Sequence, residues 1–490
     1  MTMTDIPEVA LPSGAMLIGD AWVSGASDTT REHLNPATGR PLGSFTMGTP
    51  ADIDAAVDAA TAAFPAWAAM APPVRRDILL NLARLLSEHD VELGTMRTLE
   101  LGAPLKRKRG RSMAAEYVSY YAGWVDKIEG STVPLGPNAV DYTRPEPYGV
   151  VAVIIPWNGP VVSAAMKVAP ALAAGNCVVL KPSELGPISA LRFGELCLEA
   201  GIPPGVVNIV PGGADAGDRL VRHPGVAKIS FTGGGATAQR IMVAAAERLK
   251  PLTLELGGKS ALLIFADGNV DKAVQIGVTT GLVNLSGQGC VLPTRMLVQD
   301  SIFDEVESRV AGIVGALKPG DPFDPTTTFG PVINEAAADR ILGVIGKARA
   351  DSAGRLLAGG SRMGGALAAG FYVEPTVFSD VDNASSLAQE EVFGPVLSLV
   401  RFSDEADGIA KANDTKFGLG GFVFTRDISR GHRVAAGLEA GSIGINGFPP
   451  MPPGAPFGGV KQSGYGREGG PAGLWEFLQL KNVYVELDAG

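Results

Sequence analysis

The chain has 490 residues, 46% of them hydrophobic, which is more apolar material than one simple core needs and points to two to four domains. A formal charge of -10 disfavours nonspecific binding to nucleic acid or to an anionic membrane surface and suits a soluble enzyme. Cys177, Cys197 and Cys290 make an odd count without a CxxC pair, so neither a disulfide framework nor a zinc site is expected, and the compartment reads as reducing. The first residues lack a basic region followed by an apolar one, and no stretch is apolar enough to span a bilayer, so a cytoplasmic location is expected.

Residues 1 to 48 are punctuated by Gly and Pro and read as loops and short strands, with Ala15 to Gly19 as one apolar run. A helix follows from Thr49 to Met70, with Ile53, Ala56, Val57 and Ala60 on one face and Thr49 or Asp52 near its cap. Pro72-Pro73 breaks it. A second helix, buried through Ile78, Leu82, Leu85 and Leu86, runs to Leu101 and stops at Gly102 and Pro104. The basic run Lys106 to Arg111 has no interleaved aromatics in an acidic chain, so it reads as a solvated face or subunit contact.

From Gly149 strand-like and helical runs alternate. Strands are expected at Val150 to Ile155, Cys177 to Lys181, Val206 to Val210, Ala227 to Phe231 and Leu252 to Leu256. Helices are expected at Val162 to Ala174, Pro187 to Ala200, Asp215 to Arg222 and from the Gly233 loop to Lys250. Strands separated this way make βαβ units and a parallel sheet, whose ligands lie at the carboxyl ends of the strands. A second α/β region begins after Gly257, with strands at Ala261 to Phe265, Met296 to Val298, Tyr372-Val373, Val396 to Val400 and Gly421 to Phe424, and a helix from Val270. Between that helix and the strand at Met296 sits Cys290, on a Gly-rich turn where a thiol can meet a substrate. Residues 447 to 470 form a long Gly/Pro-rich passage, a kind of loop that is usually functional. Lys481 to Leu487 alternates like an exposed edge strand that wants a partner.

The motifs Pro156-Trp157-Asn158, Lys181-Pro-Ser-Glu184, Phe231-Thr-Gly-Gly234 and Leu254-Glu255-Leu-Gly-Gly-Lys-Ser260 occur in this order. They are followed by Gly287-Gln-Gly-Cys290, Glu390-Glu391-Val-Phe393-Gly-Pro395 and Pro456-Phe457-Gly-Gly-Val-Lys461-Gln-Ser463-Gly. In this set and order the chain resembles the aldehyde dehydrogenase superfamily over nearly its full length. The resemblance implies an α/β fold of three parts: a Rossmann-type cofactor domain at 1–128 and 149–256, an α/β catalytic domain at 257–462, and a small β oligomerisation arm at 129–148 and 478–490. It also implies a homodimer or homotetramer, a small-molecule aldehyde as substrate, and no metal.

The implied chemistry is physically coherent. A neutral aldehyde is a poor hydride donor, whereas the thiohemiacetal formed by Cys290 can expel hydride and leave a thioester. Asn158 and the Cys290 backbone amide would stabilise the oxyanion, and Glu255 would activate the water that hydrolyses the thioester. The histidines, four in number, lie outside every such motif, which disfavours Cys-His chemistry. On the cofactor side the resemblance implies NAD, with Lys181 and Glu184 on the adenosine ribose, where a carboxylate opposes a 2′-phosphate. Thr232, Gly233 and Gly234 lie at a helix start that would face the pyrophosphate, and Glu391 and Phe393 would hold the nicotinamide ribose. Ile154, Pro156, Trp157, Ser183, Gly213, Gly217, Phe231, Leu256 and Gly257 complete the expected cofactor set. The sequence departs from the family pattern at Gly234, where Ser is common, and at Ala238, where a further Gly is frequent. No GxGxxG follows a first strand.

For the substrate, the resemblance places Gly159, Val162, Met166, Val291, Phe448, Met451 and Phe457 along the entry tunnel. Small or flexible groups at Gly159 and Met166, where relatives carry large aromatics, suggest a wide apolar mouth and a bulky aliphatic, terpenoid or aromatic aldehyde. Rival readings are acyl transfer to CoA, a semialdehyde substrate, or a catalytically silent binding protein on the same fold.

Overall fold

The computed structural model describes residues 9–25, 29–105 and 112–487. The basic run at 106–111 and the last residues of the C-terminal arm segment lie outside them. The first of two large sheets has eight strands. Its centre is parallel, in the spatial order Val207–Ile209, Cys177–Lys181, Val150–Ile154, Val226–Thr232, Leu252–Glu255. Every residue of Val150–Ile154 and Cys177–Lys181 is buried, as continuous β-branched runs covered on both faces should be. The chain moves outward from Val150–Ile154 on one side and returns on the other at Val226–Thr232. The loops that leave these two strands diverge and open a crevice at their carboxyl ends. Met16–Ile18 and Ala21–Val23 close one edge; Gly464–Tyr465, antiparallel to Leu252–Glu255, closes the other.

The second sheet has seven strands, ordered Arg355–Ala358, Thr376–Ser379, Val396–Phe402, Arg295–Gln299, Ala261–Ile264, Gly420–Phe424 and Ser442–Ile445. All neighbours are parallel except the first pair. The Cys290 loop precedes the central strand Arg295–Gln299, so it hangs from the middle of this sheet. A third, three-stranded antiparallel sheet joins Leu478–Glu486 to Ala139–Pro147 and Thr132–Val133. The alternating C-terminal run thus finds a partner within its own chain, with Leu480, Tyr484 and Val485 left exposed.

Local sequence explains most boundaries. The helix Pro50–Ala68 opens with a capping box, in which Asp52 Oδ2 accepts from the Thr49 amide at 2.8 Å. Several expectations need correction. The second helix is two, Pro72–Glu88 and Asp90–Leu101, broken at His89, whose backbone leaves the helical region and whose ring bonds Glu92. Gly102, in the left-handed region at φ 71, ends the pair. The helix that starts at Gly235 ends at Ala246, short of Lys250, because Leu249 turns to φ 53 and Lys250 Nζ donates to the carbonyls of Val221 and His223 at 2.6 and 2.7 Å. Tyr372 and Val373 are core rather than strand. The Tyr372 hydroxyl donates to Gly320 O at 2.8 Å, Val373 makes an isolated bridge to Arg362, and the strand begins at Thr376.

Candidate active site and cofactor cleft

Three consecutive residues with positive φ, Leu285 (51), Ser286 (52) and Gly287 (73), turn the chain sharply ahead of Cys290. Side chains pin this turn: Ser286 Oγ donates to Gly330 O at 2.8 Å, and Gln288 Oε1 accepts from the Ile333 amide at 3.0 Å. Asn158, just after the strand Val150–Ile154, donates from Nδ2 to Gln288 O at 2.9 Å. That bond aims the carboxamide at the Cys290 loop and leaves its second N–H free to donate. Asn158 therefore bridges the end of one sheet to the loop of the other.

Cys290 is half-buried, unlike the fully buried Cys177 and Cys197. Burial pushes its thiol up to about 12, and the carboxyls of Glu391 and Glu255 add to the effect. A resting neutral thiol is what this environment favours, so attack requires a base. Glu255 ends the strand Leu252–Glu255 and is 3% exposed. Neither carboxyl oxygen has a hydrogen-bond partner among the described residues, a costly arrangement for a buried acid. Burial first, and then the charge of Glu468, hold its carboxyl well above the ordinary range, while Lys167 and Arg467 work in the opposite direction. A buried, proton-binding carboxyl that lines the same cavity as a thiol has the chemistry of a general acid–base.

Sequence reasoning missed the group behind Glu255. Lys167, on the helix Pro160–Ala173, is buried, with Nζ bonded to Ser230 Oγ at 3.0 Å and to the Glu468 carboxylate. Its signal in sequence was a lone charge within an apolar helix. Nothing marked Glu468, 301 positions away, as its partner. Ser463 was part of a quoted motif without a role. Its Oγ donates to Gly257 O at 2.6 Å and accepts from the Gly418 amide at 2.9 Å, which ties the segment after the strand Leu252–Glu255 to the segment before the strand Gly420–Phe424.

The crevice at the strand ends is a cavity of about 960 Å³ that runs from Cys290, Glu255 and Asn158 to the helices Ala214–Arg222 and Gly235–Ala246. Every residue expected to touch the cofactor lines it: Ile154, Pro156, Trp157, Lys181, Ser183, Glu184, Gly213, Gly217, Phe231, Thr232, Gly233, Gly234, Leu256, Gly257, Glu391 and Phe393. The glycines matter individually at two places. A side chain at Gly257 would collide with the Glu391 carboxylate, whose Oε1 accepts from the Gly258 amide at 3.0 Å. At Gly234, which caps the helix Gly235–Ala246, an added Cβ would meet nothing within 4 Å, so that helix end is open to a phosphate. Lys181 Nζ is turned to the carbonyls of Pro182 and Gly212. Phe393 meets Trp157 edge-on, ring centroids 5.6 Å apart. Cavity, open helix end and carboxylates at both ends fit a dinucleotide with its redox ring near Cys290.

None of the seven expected substrate residues lines this cavity. Met166, Val291 and Phe457 are buried in the main apolar cluster, against which Val162, Phe448, Met451 and Cys290 itself pack, half-buried. Phe448 stacks on Phe422 at 5.1 Å, and the Met451 carbonyl accepts from the Tyr117 hydroxyl at 3.3 Å. Gly159 is the N-cap of the helix Pro160–Ala173.

A cleft at the strand ends of a parallel sheet, lined also by a thiol and a buried carboxyl, is the site of a dinucleotide-dependent oxidoreductase. The chain belongs to the aldehyde dehydrogenase family, whose family model matches residues 22–483. Solved structures agree. PnpE from Pseudomonas sp. WBC-3, in complex with nicotinamide adenine dinucleotide, is 40% identical with a TM-score of 0.95, over 97% of this chain and 98% of that one. Betaine aldehyde dehydrogenase from Staphylococcus aureus, in complex with NAD+, is 36% identical with a TM-score of 0.94, over 96% and 94% of the two chains. The NAD+ complex of an aldehyde dehydrogenase from Bacillus cereus is 37% identical with a TM-score of 0.93, over 99% and 98%.

Proposed function

We propose that this NAD-dependent aldehyde dehydrogenase converts bulky, hydrophobic aliphatic, terpenoid or aromatic aldehydes to carboxylic acids through a covalent adduct on Cys290. The observation that carries the reading is that Cys290 and the buried carboxyl of Glu255, without a hydrogen-bond partner among the described residues, line one and the same cleft. Lys181, Ser183 and Glu184 would hold the adenosine ribose, Gly234 the pyrophosphate, and Glu391 and Phe393 the nicotinamide ribose. NAD, when bound, accepts the hydride.

The chain's own groups do the rest. Glu255 takes the thiol proton, and the Cys290 sulfur adds to the carbonyl carbon to give a thiohemiacetal. The Asn158 amide and the Cys290 backbone N–H donate to the oxyanion, each such donor being worth about 3–4 kcal/mol. Loss of hydride leaves a thioester. Glu255, having passed the thiol's proton to solvent, then takes a proton from water, which attacks the thioester carbon, and returns that proton to the departing sulfur, so that the acid and the free thiol are released. A base placed to activate water favours hydrolysis over transfer to CoA.

The half-buried Val162, Phe448 and Met451, packed like Cys290 against the main apolar cluster, support an apolar substrate, with Met able to adapt to varied shapes. An NADH absorbance assay over an aldehyde panel, with and without CoA, tests this reading. Hydrophobic aldehydes should give the highest kcat/KM, with free acid as product under both conditions. A marked preference for succinic semialdehyde, or an acyl-CoA product, would overturn it. We also assign cofactor binding to 1–128 and 149–256, catalysis to 257–462, and contact with a second copy of the chain to the arm at 129–148 and 478–490. Exposed Leu480, Tyr484 and Val485 support the last of these.

A further inference from the structure

We propose that Arg240 lays its guanidinium over the adenine ring of NAD and thereby supplies an adenosine-specific share of cofactor affinity. The inference rests on NAD being the cofactor, with its nicotinamide at the Cys290 end. The helix Gly235–Ala246 sends Thr237, Arg240, Ile241 and Ala244 into the cleft as one stripe that starts at the open cap Gly234. With the pyrophosphate at that cap, the adenosine must run along the stripe, away from Cys290. At about 1.5 Å per residue, Arg240 lies roughly 9 Å beyond the cap along the helix axis. The wall there is apolar: Val221, Ile241 and Ala244 are buried at the junction with the helix Ala214–Arg222. A flat heteroaromatic ring suits that wall on one face and needs a cover on the other.

Three arginines line this end of the cleft, and two are committed. Arg219 makes a forked pair with Asp54 at 2.5 and 2.8 Å. Arg222 pairs with Asp218 at 3.0 Å and with Glu247. Arg240 is exposed and makes no hydrogen bond or ion pair with any described residue. Its guanidinium is planar, weakly hydrated and free to stack, the combination that favours cation–π contact with an aromatic face.

Calorimetric titration of the full-length protein with NAD, at low and at high salt, tests the assignment. Arg240→Ala should weaken NAD binding roughly 3- to 30-fold, the range such a contact covers. The ratio to wild type should be the same at both salt concentrations, and Arg240→Tyr, an uncharged stacking side chain, should recover most of the loss. An unchanged dissociation constant in Arg240→Ala makes Arg240 a solvated surface group and overturns the proposal. A deficit that vanishes at high salt and is not recovered by Tyr assigns it to the phosphates instead, and overturns it equally. Wild-type protein that fails to bind NAD at all would instead sink the cofactor reading beneath it.

Discussion

Burial raises both groups that the proposed route asks to give up a proton, the Cys290 thiol to about 12 and the Glu255 carboxyl well above its ordinary range. Glu255 accepts a proton only when ionised, that is, above its raised pKa. Steady-state turnover should therefore climb with pH above the range of an ordinary carboxylate, and Glu255→Gln should flatten that limb. Glu255→Gln should also turn over roughly 10²- to 10⁴-fold more slowly, since hydrolysis loses its base; a first burst of NADH survives where the base acts mainly on the thioester, and slows with the rest where Glu255 also takes the thiol proton. Stopped-flow absorbance separates the two phases. Cys290→Ala should lower kcat by at least about 10³-fold and leave NAD affinity intact, as a titration would reveal. At this scale sequence was most informative where one motif carried one group, as with Cys290, Glu255, Asn158 and Glu391. It could not reveal the Lys167–Glu468 pair behind Glu255, because a buried ion pair depends on two distant segments meeting. Nor could it reveal that Lys181 rests on backbone carbonyls.

Strands and helices were legible where periodicity was strong. Val150–Ile154 and Cys177–Lys181 carry continuous apolar β-branched runs, and the structure follows them closely. Breaks were harder. His89 interrupts a helical pattern without any Gly or Pro, through a side-chain bond to Glu92. Tyr372 and Val373 look like strand residues but fill a core position. The element of greatest consequence is the turn before Cys290. Gly287 has φ 73, and a Cβ there would run into the backbone of Gly394, just after Phe393. Gly287→Ala should cost roughly 1–3 kcal/mol from backbone strain alone, with the collision added. Thermal denaturation should report the loss, and the rate of the first turnover should fall with it, because the Cys290 loop rests directly on the segment that carries Glu391 and Phe393.

For the whole molecule, parallel order and crossover length were readable from alternating runs, whereas the return of the C-terminal region to the first sheet was not. Strand Gly464–Tyr465 is two residues long and carries no periodicity. The arm is an open three-stranded sheet, and an unpaired edge with apolar side chains invites a second copy. Truncation before Leu478 removes the strand Leu478–Glu486. The truncated chain should sediment as a smaller species than the full chain. Equal sedimentation of the two would assign assembly to another surface.

The pairing of Gly464–Tyr465 with Leu252–Glu255 has a bearing on biosynthesis. The first sheet cannot be finished when its own helices and strands have left the ribosome. The strand that ends in Glu255 must wait for roughly 200 further residues, some 10–40 s at ordinary elongation rates of about 5–20 residues per second. Throughout that interval a nascent chain presents a bare, sticky β margin, which a chaperone would guard and a pause in translation would leave bare for longer.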